Sequence, residues 1–190
     1  MSDQLVWYVS YGSNLYADRF RCYLEGGTPP NGLWSAPGAR DATPARADRR
    51  IDLPMALHFG GPSFTWRGAP AYLELDRAGS TIGRAWCVGI DQFEDVVAQE
   101  NHIPPGEVQL SQQLLREGGV LLPGERYGRL VTLPPIDGVP AATFTYVARP
   151  APRPPDDDYL AMLRGGLVEL GLTDGQARRY LDDQVAAAAA

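Results

Sequence analysis

Glu100 occupies the end of an apolar helical stripe, at a position where periodicity would place another hydrophobic residue. The segment Asp91–Asn101 has a helical pattern in which Phe93, Val96 and Val97 share one face, and the next position on that face is Glu100. One interpretation is that the helix ends here and Glu100 lies in water or pairs with an arginine. In the other, Glu100 faces a pocket, where desolvation raises the pKa of a carboxylate and suits it to act as a general base and then as a general acid.

A second candidate for chemistry is the turn that follows the first apolar run. Leu5–Val9 is rich in aromatic and β-branched residues and predicts a buried strand. Gly12 then permits a tight turn, and Ser13 and Asn14 are good helix N-cap residues. Such a turn is either a plain connection or a cradle of backbone N–H groups for an anionic group. It lacks the several glycines and the lysine of a phosphate-binding loop.

Composition narrows the function classes. The chain has 190 residues with a net charge of −6, and all 17 of its basic residues are arginine. The arginines between residues 40 and 50 alternate with aspartates, which argues against nucleic-acid binding. The chain has two cysteines and two histidines, and their wide separation argues against a metal site and against a histidine-dependent hydrolase. No apolar run is long enough for a membrane span, and no signal peptide is evident, so we expect a cytoplasmic protein.

The elements that must position these residues predict an α+β fold. A short helix over 14–24 precedes an irregular, Gly- and Pro-rich stretch over 25–50. The predicted strands are Met55–Phe59, Ala71–Leu75, Arg84–Val88, Arg129–Leu133 and Ala142–Ala148. Two helices follow a Pro-rich connector, one over Asp157–Leu170 and one that begins at Thr173. We expect one domain over residues 1–185, and a disordered Ala-rich tail over 186–190.

Two adjacent glycines interrupt the first of the C-terminal helices. Gly165 and Gly166 each cost about 1 kcal/mol relative to alanine inside a helix. Close packing of another backbone against the helix is the favoured explanation, and approach of a ligand is the alternative.

Several motifs, in order along nearly the whole chain, resemble those of the γ-glutamylcyclotransferase-like superfamily. The first is Tyr11-Gly12-Ser13-Asn14-Leu15, directly after the N-terminal strand. The others are "FGG" at 59–61, "TWRGAPAYL" at 65–73, Trp86 at the expected distance before Gln99-Glu100, and "PPDDDYLAMLRGGLVELGL" at 154–172.

The resemblance implies a small mixed β-barrel with helices packed around it, and a reaction without metal or cofactor. In that reaction the α-amine of a γ-glutamyl group attacks its own γ-carbonyl, which releases 5-oxoproline and a free amine or amino acid. The resemblance assigns Glu100 as the catalytic acid and base. It assigns the substrate-binding residues as Tyr11, Gly12, Ser13, Asn14, Leu15, Tyr146 and Tyr159.

Departures from the family pattern bear on the substrate. Asn101 stands where the family has glycine after the catalytic glutamate, and Ala69 replaces a glycine. With no basic patch evident for a second carboxylate, the sequence favours a small-molecule γ-glutamyl substrate other than glutathione. We expect no nucleic-acid or membrane partner, and a monomer or homodimer. The alternatives are hydrolysis or lyase chemistry on a glutamyl-like group, and a non-catalytic module that binds an anionic small molecule.

Overall fold

The computed structural model describes residues 4–30, 32–63, 66–124 and 126–189, with only the backbone of Ala189. Thr65, in one of the motifs above, and Ala190 lie outside this part of the chain. The strands are β1 Leu5–Ser10, β2 Ala47–Phe59, β3 Ala71–Gly89, β4 Gly119–Leu121, β5 Arg129–Ile136 and β6 Val139–Thr145. The helices are α1 Ala17–Glu25, α2 Ile90–Glu100, α3 Ser111–Glu117, α4 Asp157–Glu169 and α5 Asp174–Ala189, and a 3-10 turn spans Ser13–Leu15.

The described strands form one six-stranded sheet in the order β2-β3-β1-β6-β5-β4. Neighbours are antiparallel except for β1 and β6, which pair in parallel through Trp7 with Ala141 and Tyr8 with Ala142. The prediction of a mixed α+β fold is confirmed. The sheet is open rather than closed into a barrel, because the edge strands β2 and β4 do not pair with each other.

Helices cover both faces of the sheet, so the sheet separates two hydrophobic clusters. Side chains of β1 alternate between them: Val6 and Tyr8 pack with α1, α2 and α3, whereas Trp7 and Val9 pack with α4 and α5. The 3-10 turn at the end of β1 contacts elements of both sides. The end of β1 is therefore the place where residues from both clusters can meet.

Several predicted boundaries need correction. The helix predicted over 14–24 is a 3-10 turn followed by α1, and β2 begins at Ala47, inside the stretch predicted to be irregular. The two strands predicted at Ala71–Leu75 and Arg84–Val88 are one strand, β3. Helix α3 and strand β4 were not predicted. Helix α5 continues to Ala189, so residues 186–189 are helical rather than disordered.

Gly166 meets the backbone of the 3-10 turn. A Cβ atom at Gly166 would lie less than 3 Å from the backbone of Leu15, which no side chain can tolerate without movement. The close-packing explanation for the glycine pair therefore holds at this position. At Gly165 the neighbour is the ring of Tyr16, whose Cδ2 would lie 3.0 Å from an added Cβ.

Candidate active site

Glu100 ends α2 and meets Asn14 of the 3-10 turn. The Asn14 Nδ2 atom donates hydrogen bonds to Glu100 Oε1 at 2.8 Å and to the Tyr8 hydroxyl at 3.1 Å. The Asn14 carbonyl oxygen accepts from Trp86 Nε1 at 2.9 Å and from Ser10 Oγ at 3.1 Å. These two hydrogen bonds hold the Asn14 backbone in place, so the Asn14 side chain that contacts Glu100 is held as well.

A small cleft opens beside this pair. Its described lining consists of Tyr8, Tyr11, Gly12, Ser13, Asn14, Arg19, Ser63, Trp66, Pro70, Ala71, Glu100, Arg126, Tyr127, Phe144 and Tyr159. Within that lining Glu100 is the sole carboxylate. The fold thus brings together the two features that the sequence singled out, and it places Glu100 at a cleft.

Tyr11 and Tyr159 line the cleft and are held by backbone groups. The Tyr11 hydroxyl donates to the Phe144 carbonyl at 2.6 Å, and the Tyr159 hydroxyl accepts from the Ala71 N–H at 2.9 Å. A Cβ at Gly12 would lie 2.9 Å from the Tyr159 hydroxyl. Gly12 is therefore explained by close approach of this phenol and not by unusual backbone angles, since its φ is −108°.

Leu15 and Tyr146 lie elsewhere than at the cleft surface. The Leu15 side chain is buried in the cluster shared with α4, and its carbonyl accepts from Arg84 Nη1 at 2.8 Å. Tyr146 packs edge-on against Tyr72, with ring centroids 5.8 Å apart, and neither ring is part of the described lining. Leu15 thus packs the turn against the hydrophobic cluster on the α4 side, while Tyr146 packs against Tyr72 outside the described lining.

The phenols around the cleft are set up to stay protonated. Burial raises the pKa of Tyr8, Tyr11, Tyr127 and Tyr159 well above the ordinary value for tyrosine. Burial also raises the pKa of Tyr72 to about 12. These hydroxyls can donate hydrogen bonds at neutral pH but cannot act as bases. Glu100 is the one carboxylate in the described lining.

No protein-family model matches the chain. A solved structure of gamma-glutamyl cyclotransferase aligns with 93% of this chain and 86% of that chain, at a TM-score of 0.54 and 16% identity. The structure of an uncharacterized protein from Homo sapiens aligns over the same shares, at a TM-score of 0.53 and 17% identity. The chain has the gamma-glutamyl cyclotransferase-like fold. This likeness extends to the fold alone.

A curated protein, Histone deacetylase 5 of Arabidopsis thaliana, is 28% identical to the chain over 202 residues. The match covers 95% of this chain but 31% of that protein, so the chain spans about a third of its relative's length. The described residues contain no group of three or more His, Cys, Asp or Glu side chains arranged to hold a metal ion. None of the described helices has the length and apolar character needed to cross a membrane.

Asn101, a departure from the cyclotransferase pattern, has a structural role here. Its Oδ1 accepts from the Tyr127 N–H at 2.9 Å, and its Nδ2 donates to the Val97 carbonyl at 3.0 Å. The Tyr127 hydroxyl in turn donates to the Ala71 carbonyl at 3.0 Å. The residue after Glu100 therefore anchors the segment that brings Tyr127 to the cleft.

Two arginines in the cleft lining were missed from the sequence. Arg19 comes from α1 and Arg126 from the segment before β5, and both lie near Glu100 only in the folded chain. The sequence shows no basic patch for a second carboxylate because these two arginines are far apart along the chain, but both are in the described lining of the cleft. Arg19 did leave a local signal, since it lies one helical turn before the buried Tyr23 and next to the buried Phe20.

Proposed function

We propose that the protein is a cyclotransferase that converts a γ-glutamyl amide into 5-oxoproline and a free amine, with Glu100 as the acid and base. The observation that carries the proposal is the pairing of Glu100 with Asn14 at a cleft whose other titratable groups are protonated phenols and arginines. The shared fold with gamma-glutamyl cyclotransferase supports it.

The reaction needs one group that moves a proton twice. The substrate's α-amine attacks the γ-carbonyl carbon, and Glu100 accepts the proton that the new C–N bond displaces. The tetrahedral intermediate then collapses, the original amide C–N bond breaks, and Glu100 returns the proton to the leaving amine. The atoms of the reaction balance without water, a metal or a redox partner. The products are the lactam 5-oxoproline and the free amine.

The surrounding groups suit the charge that develops. Gly12, Ser13, Asn14 and Tyr159 are part of the cleft wall, and their backbone N–H groups and the phenol are the donors that we assign to a carbonyl oxygen gaining negative charge. The Asn14 amide fixes one carboxylate oxygen of Glu100, which leaves the second oxygen to face the substrate. The same wall could hold the substrate's own carboxylate.

The test is turnover of a panel of γ-glutamyl amides and γ-glutamyl amino acids, with product mass measured. We expect 5-oxoproline from the wild type and a loss of about 10²- to 10⁴-fold in Glu100→Gln. Glu25→Gln, an isosteric change of an exposed carboxylate at the end of α1, is the matched control and should leave turnover unchanged. Glutamate as the product would show hydrolysis instead, and wild-type turnover by Glu100→Gln would contradict the assigned role.

A further inference from the structure

Two residues of the cleft lining have buried polar atoms without a hydrogen-bond partner among the described residues. In Arg19, which is 2% exposed, these atoms are Nε and Nη1, and in Asn14, which is 3% exposed, the atom is Oδ1. The other described atoms of this kind belong to Trp7, His58 and Tyr72, which are outside the described lining. Buried polar atoms are normally paired, so two such residues at one cleft point to a ligand that completes their hydrogen bonds.

Arg84, the other deeply buried arginine among the described residues, shows how the fold stabilises such a cation. It pairs with Asp48 at 2.7 Å and with Glu169, and it donates to the Leu15 carbonyl at 2.8 Å. Arg19 forms no ion pair with a described residue. Its Nη2 atom donates to the Tyr23 hydroxyl at 2.7 Å, and its Cζ lies 4.3 Å from the centre of the Tyr23 ring. Arg19 therefore lacks the paired carboxylates that Arg84 has.

The types of the unpartnered atoms indicate the chemistry of the ligand. Nε and Nη1 of Arg19 are N–H donors on a permanent cation, so they match an anionic acceptor such as a carboxylate. Asn14 Oδ1 is an acceptor, and Nδ2 of the same amide lies 2.8 Å from Glu100 Oε1, so this part of the lining suits an amine. A ligand with an amine and a carboxylate on one carbon satisfies both residues.

The charge of the lining agrees with such a ligand. The described lining has two cations, Arg19 and Arg126, and one carboxylate, Glu100, so it has an excess of one positive charge. Once its amine is deprotonated for attack, a γ-glutamyl amide with an uncharged leaving group has one negative charge, on its α-carboxylate. An α-ester or α-amide of the same compound lacks that charge. Because a buried charge is costly unless it is paired, the lining favours the free α-carboxylate.

We propose that Arg19 binds the α-carboxylate of the γ-glutamyl substrate and restricts the cleft to substrates in which this group is free. The assignment rests on the proposed function. Asn14 Oδ1 accepts from the α-amine, which places the attacking nitrogen beside Glu100. The backbone N–H groups of Gly12–Asn14 then remain for the γ-carbonyl oxygen, so the α-carboxylate and the developing oxyanion have separate donors.

The experiment compares kcat/KM for two matched substrates, γ-glutamyl-para-nitroanilide and its α-methyl ester, in the wild type, Arg19→Met, Arg19→Gln and Arg19→Lys. The ratio of the two values is compared between variants, so the different reactivities of the two compounds cancel. Arg19→Met and Arg19→Gln should lower the ratio about 10- to 100-fold by lowering the value for the free acid alone. Arg19→Lys keeps the charge but loses the planar fork, so its ratio should lie between. Equal losses for both substrates would show a structural role and overturn the proposal.

Arg21→Gln is the matched control. Arg21 belongs to the same helix and pairs with Asp18, but more than half of its side chain is exposed, so its ratio should equal that of the wild type. Arg126→Gln tests the other cation of the lining. A lowered ratio in Arg126→Gln, together with a wild-type ratio in the Arg19 variants, would place the α-carboxylate at Arg126 and overturn the assignment.

Thermal unfolding separates ligand binding from a structural role. Arg19→Met removes a buried charge that lacks a paired carboxylate, so its melting temperature should equal or exceed that of the wild type. Arg84→Met leaves Asp48 and Glu169 without their cation, so its melting temperature should fall. A similar fall in Arg19→Met, with the substrate ratio unchanged, would show that Arg19 stabilises the fold and does not bind the substrate.

A second binding measurement does not depend on turnover. NMR titrations use 5-oxoproline, which keeps the α-carboxylate, and pyrrolidinone, the same lactam without it. The wild type should bind 5-oxoproline about tenfold or more tightly than pyrrolidinone, and Arg19→Met should bind both alike. This result without turnover of any γ-glutamyl amide would refute the proposed function and leave the role of Arg19 in place. Equal affinity of the wild type for both lactams would overturn that role even if turnover is seen. If Arg19→Met and Arg19→Gln do not fold, Arg19→Lys is titrated, and selectivity equal to the wild type would contradict the assignment.

Discussion

Helix α2 has two polar surroundings that differ in how completely they are hydrogen-bonded. On the side facing the loop before β2, the Asp95 carboxylate accepts from Arg40 Nε at 3.0 Å, from the Arg40 N–H at 2.9 Å and from the Gly106 N–H at 2.8 Å. Gln99 bonds the Gly38 N–H and the Tyr23 carbonyl, and Gln92 bonds carbonyls at Asp41 and Thr43.

The cleft side, around Glu100, is incompletely bonded. Asn14 Oδ1 and two nitrogens of Arg19 are buried without hydrogen-bond partners in the structure. Buried polar groups whose hydrogen bonds are all satisfied fix the course of the chain, since each unpaired buried group would cost about 1–3 kcal/mol. Buried polar groups without hydrogen-bond partners are typical of sites where a ligand completes the network. The loop side of α2 therefore has a structural role, and the cleft side is the candidate site.

Asp95→Asn is the strongest test of the difference between the two sides of α2. The amide NH2 group would face the N–H donors of Arg40 and Gly106, so the unfolding free energy should fall by about 3 kcal/mol. Activity per folded molecule should stay at the wild-type level. Denaturant unfolding and an activity assay measure the two effects. Asp52→Asn, in an exposed pair with Arg50, is the control and should cost less than about 0.5 kcal/mol.

Gly166→Ala tests the packing that holds the cleft turn. The added methyl would meet the backbone of Leu15, so the turn or α4 must shift, at a cost of about 2 kcal/mol despite the better helix propensity of alanine. Activity should fall as well, because Asn14 precedes Leu15. In Gly175→Ala the nearest atom is 3.6 Å away, and stability there should be unchanged or slightly higher. Equal behaviour of both variants would rule out the proposed contact.

Asn14→Ala removes one donor from the cleft side. Glu100 and Tyr8 each lose a hydrogen bond, so we expect kcat/KM to drop about 10- to 50-fold, with about 1 kcal/mol of stability lost. Gln92→Ala is the counterpart on the loop side, where stability should fall and kcat/KM should not. If Gln92→Ala reduced kcat/KM as strongly as Asn14→Ala, the division of α2 into two functional sides would be wrong.

Glu74 extends the comparison to a buried carboxylate that pairs with two arginines. Burial alone would raise its pKa, but Arg149, whose Nε lies 2.6 Å from Oε1, and Arg77 hold the pKa of Glu74 below its usual value. A depressed folded pKa stabilises the protein above the unfolded value of about 4.3 and ceases to do so as pH falls through the folded value. Glu74→Gln should therefore be about 1 kcal/mol less stable at pH 7. The difference in melting temperature should disappear at low pH; a constant difference would contradict the assignment.

Sequence patterns predicted the elements in which one physical signal dominates. Helix α2 was predicted to within a residue because its apolar face is regular and an aspartate lies in its first turn. Strand β3 was divided because its middle, Asp76–Ser80, is exposed and contains turn-forming residues, yet it pairs with β2 across an irregular register near Met55. Strand β4, with three residues, is too short to leave a pattern.

The candidate site was predicted only in part for a similar reason. Glu100 and the turn at Gly12–Asn14 violate local patterns, so they could be noticed without a structure. Arg126 and Tyr127 violate none, and their position depends on Asn101 and on the course of the chain before β5. The roles of the other predicted site residues stay predictions until the variants are measured.

The parallel pairing of β1 with β6 has a consequence for how the protein folds. The first strand lies in the middle of the sheet, between β3 and a strand that is not synthesised until Val139–Thr145. Such long sequence separations slow folding, because distant segments must meet before they stabilise each other. We expect pulse-labelling hydrogen exchange to show β1 and β6 gaining protection together in a late phase, and early protection of β1 alone would disprove this order. The cleft of a nascent chain could then be complete only after β6 and Tyr159 had left the ribosome.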